Sequence, residues 1–151
     1  MLPTFKEEFV KITASPSAAF PERKSIFKPY ISIRLFNKAD EENYIDLKAL
    51  IDSGAGVSIF PGLFGQAIGL TVENDRIEKI QGIGGQSFDT YLHDIVLGVG
   101  GWKFDSYICF TFANIVCPVL GREGFFDLFE IKIDYLKKEM KFKANVEPLK
   151  I

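Results

Sequence analysis

The sequence predicts a single all-β domain with two short helices. Apolar and polar residues alternate at period two in several segments, as half-buried strands require; Tyr30-Ile31-Ser32-Ile33-Arg34-Leu35 is one of them. Gly and Pro punctuate the chain between those segments. Of 151 residues, 47% are hydrophobic and 15 are Phe, enough for one core.

An irregular opening is expected over residues 1–28, broken at Ser15-Pro16 and Phe20-Pro21. Residues 30–35 form a strand, the polar stretch 37–43 a turn, and residues 44–51 a second strand. That strand becomes solidly apolar at Ala49-Leu50-Ile51, the pattern of a segment running from a solvated face into a core. Residues 57–60 return as a short strand. Residues 61–70 suit a brief helix, with Pro61 near its first turn and Gly69 near its end. Strands over 76–81 and 87–97 flank Gly82-Ile83-Gly84-Gly85. A turn at Val99-Gly100-Gly101 leads into a strand over 102–111, and 117–120 is short and apolar. Residues 121–129 read as helical, 131–134 alternate again, and 140–143 form a last strand. The pattern shows neither an internal repeat nor a linker.

The net charge of -2, with both signs mixed along the chain, argues against nucleic acid as the main partner. No apolar run is long enough to span a membrane. Residues 1–8 carry acids early and lack an apolar core, so no signal peptide is expected. Cys109 and Cys117 are too few for a disulfide framework. With His93 as the single histidine they are also too few for zinc. Two reduced thiols in a cytoplasmic protein, and no metal or other cofactor, are the expectation.

Chemistry is concentrated at Asp52-Ser53-Gly54-Ala55. The apolar strand before it drives Asp52 toward a poorly solvated place, where an ionised acid needs hydrogen bonds. Gly54 gives the backbone freedom for a tight turn and room for a ligand, and the Ser53 hydroxyl is free to cross-link a neighbouring turn. Asp-Ser-Gly also suits a plain β-turn, and from average usage such a triplet arises by chance in about 6% of chains this long. Its placement between Ala49-Leu50-Ile51 and the strand at 57–60 is the more telling feature.

With that motif, the chain resembles the retropepsin-like aspartic proteases, both retroviral enzymes and their soluble bacterial relatives. Three segments carry the resemblance in the expected order: Asp52-Ser53-Gly54-Ala55 as catalytic loop, Gln81-Gly82-Ile83-Gly84-Gly85 as flap tip, and Val119-Leu120-Gly121-Arg122 before the family's C-terminal helix. Gly124-Phe125-Phe126-Asp127-Leu128-Phe129 resembles the continuation in the bacterial relatives. The resemblance implies a closed, barrel-like acid-protease fold with a flap hairpin and one or two short helices. It divides the chain into an N-terminal extension (1–28), a protease domain (29–136) and a C-terminal strand or tail (137–151).

It further implies an aspartic endopeptidase with Asp52, Ser53 and Gly54 as the catalytic segment. Gly82, Ile83, Gly84 and Gly85 would hold substrate, and Ala55, Gly121 and Arg122 would support the loop. Such chemistry needs two facing carboxylates, one ionised and one protonated. The chain holds one such triplet, since Asp105-Ser106 is followed by Tyr107 and Asp89-Thr90 by Tyr91. A homodimer acting on an apolar, extended peptide or protein substrate is therefore expected. The chain departs from the retroviral pattern at Gly56, where those enzymes carry a second acid that grips substrate and pairs with the Gly-Arg arginine. Its termini depart as well, and 140–142 suit either an interface strand or the close of a sheet.

Two other readings compete. The same fold could hold an extended peptide by strand addition without cutting it, which the missing acid at Gly56 favours and the intact Asp52 motif opposes. A purely structural oligomerisation domain would have no use for a flap-like loop. A serine hydrolase lacks its motif, and His93 lies within a strand, where a structural role is usual. No Gly-x-Gly-x-x-Gly supports nucleotide binding.

Overall fold

The computed structural model describes residues 1–115 and 117–150. Its centre is a closed ring of strands. β4 (Tyr30–Asn37) and β5 (Asp40–Ile51) form a long antiparallel hairpin. β5 runs parallel to the two-residue β10 (Val119–Leu120), which is antiparallel to β6 (Ile59–Pro61). β6 is parallel to β9 (Trp102–Thr111), β9 antiparallel to β8 (Ser87–Val99), and the far end of β8 returns to β4. Period-two alternation turns Ile31, Ile33 and Leu35 of β4 inward to meet Ile95 and Leu97 of β8 and Ile108 and Phe110 of β9. Each such side chain contributes about 1.5–3 kcal/mol when fully buried, so the alternation of these strands favours the closed ring.

β7 (Ile77–Gln81) pairs only with the first part of β8, from Ser87 to Tyr91, and this hairpin projects from the ring. α1 (Gly62–Ala67) follows β6, inside the helix expected from sequence. The first hairpin turns more sharply than its polar residues suggested. Asp40 to Tyr44 already belong to β5, exposed on both faces, and Asn37 ties the turn to α1 by donating from Nδ2 to the Ile68 carbonyl at 2.8 Å.

Two expectations are overturned. Residues 121–129 form no helix. The carbonyls of Gly121 and Arg122 accept from Phe126 and Asp127, five residues on, at 3.1 Å each, in wide turns. At the break is Gly124, at φ +101, where a Cβ would also lie 2.7 Å from the Tyr107 carbonyl oxygen; a residue at positive φ interrupts an α-helix. The opening is not irregular either: it contains β1 (Thr4–Glu8), β2 (Val10–Thr13) and β3 (Ser25–Lys28).

β12 (Glu139–Ala144) is the middle strand of a second sheet, between β1 and β11 (Phe129–Asp134). Both of its edges are therefore occupied within the chain. Phenylalanines fasten this sheet to the ring. Phe5 stacks on Phe142 at 4.7 Å, and Phe129 meets Phe125 at 4.9 Å and Phe104 at 5.0 Å. Residue 151, the end of the expected tail, lies outside the described residues.

Candidate active site

Asp52 stands where β5 leaves the core. Ala49 and Ile51 are buried, Asp52 is partly buried, and Ser53 and Gly54 are exposed. The Asp52 N–H donates to the Leu120 carbonyl at 3.1 Å, and its own carbonyl accepts from Ala55 at 3.2 Å, closing a turn. Carboxylate oxygen Oδ1 accepts from the Gly54 N–H at 2.9 Å. The loop thereby orients the acid through its own backbone, as Asp commonly does in turns, and the exposed Ser53-Gly54 side leaves it open to a ligand.

A second loop, following β10, laces the first in place. The Arg122 N–H donates to the Ala55 carbonyl and the Glu123 N–H to the Gly56 carbonyl, each at 2.9 Å, while the Ser58 N–H donates to the Glu123 carbonyl at 3.2 Å. The Arg122 guanidinium donates from Nη1 to the Ser53 carbonyl at 2.7 Å. Gly56 brings no acid to Arg122; the guanidinium holds the Asp52 loop by its backbone instead. Gly121 donates from its N–H to the buried Ser58 Oγ at 3.1 Å, and Ser106 Oγ donates to the Gly124 carbonyl. Ser58 was not among the sequence candidates, though a lone hydroxyl inside Val57-Ser58-Ile59-Phe60 signalled a buried polar contact.

The structure thus brings Asp52, Ser53, Gly54 and Ala55 together with Gly121 and Arg122. Gly82, Ile83, Gly84 and Gly85 lie apart, at the tip of the β7–β8 hairpin. There the Gly82 N–H donates to the Gln86 carbonyl at 2.8 Å and the Gly85 N–H to the Gly82 carbonyl at 3.0 Å. The Ile83 side chain is fully exposed, and the Gly84 Cβ position has no neighbour within 4 Å.

Beside the loop, Leu50 and Val119 face each other in register and line an apolar cleft of about 280 Å³ with Tyr30, Ile59, Ile115 and Cys117. The Cys117 side chain, and then partial burial, raise the Tyr30 phenol above its ordinary pKa. A larger cleft of about 670 Å³ lies away from Asp52, between β4, β5 and the β8–β9 turn. Its size does not make it the reactive centre, because its one carboxylate, Asp46, is held in a two-pronged pair with Arg34 at 2.7 and 2.9 Å. His93 serves structure: its Nε2 lies 2.7 Å from the Val72 carbonyl oxygen. Both cysteines are free thiols. Among the described residues, no helix is long and apolar enough to cross a membrane.

No family model and no curated protein matches the sequence. Among solved structures, the chain is similar to EIAV protease complexed with the inhibitor HBY-793, at a TM-score of 0.50 and 19% identity, covering 63% of this chain and 82% of that one. A likeness at that identity concerns the backbone plan: the closed ring with its projecting hairpin is a retropepsin-like fold.

Proposed function

We propose that this chain is one protomer of a homodimeric aspartic endopeptidase in which two copies of Asp52 form the catalytic pair. The observation that carries the reading is the lacing of the Asp52 loop to the Gly121-Arg122 loop, which orients a carboxylate at the open end of a retropepsin-like ring. One protomer offers one such acid. Two brought together across a two-fold axis share a proton, because like charges that close do not both ionise.

The ionised member takes a proton from a water that attacks the peptide carbonyl carbon, and the protonated member donates to the developing oxyanion. Collapse of the tetrahedral intermediate breaks the C–N bond, with the proton passing to the leaving amine. The β7–β8 hairpin would act as the flap, closing backbone N–H groups over an extended substrate. The apolar cleft at Leu50 and Val119 would take a substrate side chain.

The test is digestion of a diverse peptide mixture between about pH 4 and 7, where a carboxylate pair can share one proton, at low and high protein concentration. Wild type should cut, Asp52→Asn should not, and specific activity should rise with concentration as dimer forms. Peptide binding without cleavage by wild type would favour the second reading, a non-catalytic peptide-binding module, toward which Gly56 points by removing an acid from the groove.

A further inference from the structure

Two neighbouring rungs on the outer face of the β1–β12–β11 sheet each carry charges of one sign. Glu8, Glu139 and Asp134 stand opposite one another across the three strands. Two residues along, Lys6, Lys141 and Lys132 do the same, and the next rung is Thr4, Lys143 and Glu130. Like charges directly opposite on one face of a sheet are destabilising. Lys6 relieves part of this by reaching diagonally to Glu139, Nζ to Oε2 at 3.3 Å. Among the described residues, Lys132, Lys141 and Lys143 have no ion-pair partner. A groove of about 390 Å³ runs over this lysine end, and Glu130 is the one acid lining it.

Lys6 of that rung is paired, but the groove lined by Lys6, Lys132, Lys141 and Lys143 against Glu130 keeps an excess of positive charge that an acidic partner would complement. We propose that this face is a docking surface for an extended acidic segment of a partner protein. Two strand spacings set the rung at about 10 Å across, a span that two or three carboxylates of an extended chain match. The acidic rung beside it selects against nucleic acid and anionic bilayers, whose uniform negative charge would lie over Glu8, Glu139 and Asp134 as well. This docking does not depend on the catalytic reading, and its test keeps the two apart.

The test is fluorescence anisotropy of a labelled peptide of alternating Glu and Gly, titrated with the full chain and with Asp52→Asn. Both should bind equally, and more weakly as salt rises from about 50 to 300 mM, because the contacts are exposed charges. Lys141→Glu turns two repulsions into two attractions, so it should lose at least tenfold in peptide affinity while its melting temperature rises by a few degrees, an order of magnitude set by cross-strand pair energies. Lys132→Gln with Lys143→Gln should lose affinity without that gain. Undiminished binding by Lys141→Glu, no binding by the wild type, binding lost in Asp52→Asn, or equal binding of a labelled single-stranded oligonucleotide or of phosphatidylserine vesicles would each overturn the proposal.

Discussion

Gly121 lies against Val57 so closely that a Cβ on it would stand 2.3 Å from the Val57 carbonyl oxygen, and 2.8 Å from that of Ala55. Both obstacles are backbone of the loop that carries Asp52, so neither can swing aside as a side chain would. Gly121→Ala must part the two loops. Overpacking of this kind costs about 1–3 kcal/mol. It should lower the urea midpoint and reduce peptide cleavage at least tenfold even where the variant is fully folded.

Ser58→Ala tests the same junction from the opposite side. The Ser58 side chain is 1% exposed and accepts from the Gly121 N–H, which would be left buried without a partner. Such a loss costs about 1–3 kcal/mol. Denaturant unfolding should show a lower midpoint with an unchanged slope, since the surface exposed on unfolding stays the same.

Arg122 should matter more for activity than for stability. It is exposed, yet its Nη1 holds the Ser53 carbonyl at 2.7 Å. Arg122→Ala should leave the melting temperature nearly unchanged while lowering kcat, because the loop loses a tether without losing burial. Arg122→Lys keeps a cation but not the planar fork, so it should recover only part of the loss. Equal falls in stability and kcat would make Arg122 a structural residue alone.

Glu7 predicts a pH dependence. Its strand position opposite Met140 places it on the apolar face of the second sheet. Burial raises its pKa above the ordinary 4.5, and attraction to Lys48 opposes that shift. Below that ordinary value the carboxyl is neutral in both states and carries no penalty. As pH rises, the unfolded chain releases the proton first, so stability falls until the folded group also ionises. Glu7→Gln should therefore melt higher than wild type near neutral pH, by a degree or so given the partial exposure, and no higher near pH 4. A variant that melts lower at neutral pH would mean that attraction to Lys48 dominates.

Much of this arrangement was legible in the sequence where local pattern decides. Solid apolarity at Ala49-Leu50-Ile51 placed Asp52 at the exit from the core, alternation marked β4 and β11, and the glycines at 82–85 and 100–101 bounded β8 and β9. Tertiary contact decided the rest. Residues 121–129 read as helical, but Gly124, packed against the Tyr107 carbonyl and at φ +101, places a positive-φ residue among them. β1 carries one strong apolar residue, Phe5, whose partners Phe129 and Phe142 lie at the other end of the chain. Ser58 gains its role from Gly121, 63 residues away. Local sequence can suggest a buried hydroxyl, but not which N–H it will meet.

Adjacent glycines in the hairpin tip separate the flap role from plain turn geometry. Gly85 has φ +79, where a β-branched residue is strained, whereas the Gly84 Cβ position is free of neighbours within 4 Å and its φ is not left-handed. Gly85→Val should distort the turn at a cost of about 1–2 kcal/mol, with cleavage falling alongside stability. Gly84→Val meets no obstacle within the protomer, so its melting temperature should stay within about a degree of wild type, as for surface substitutions generally. If the hairpin closes over substrate, the same valine intrudes between backbone and peptide, and kcat/KM should drop at least tenfold. Unimpaired cleavage by Gly84→Val would mean that the tip does not approach the substrate, leaving Gly82 to Gly85 as an ordinary turn between two strands.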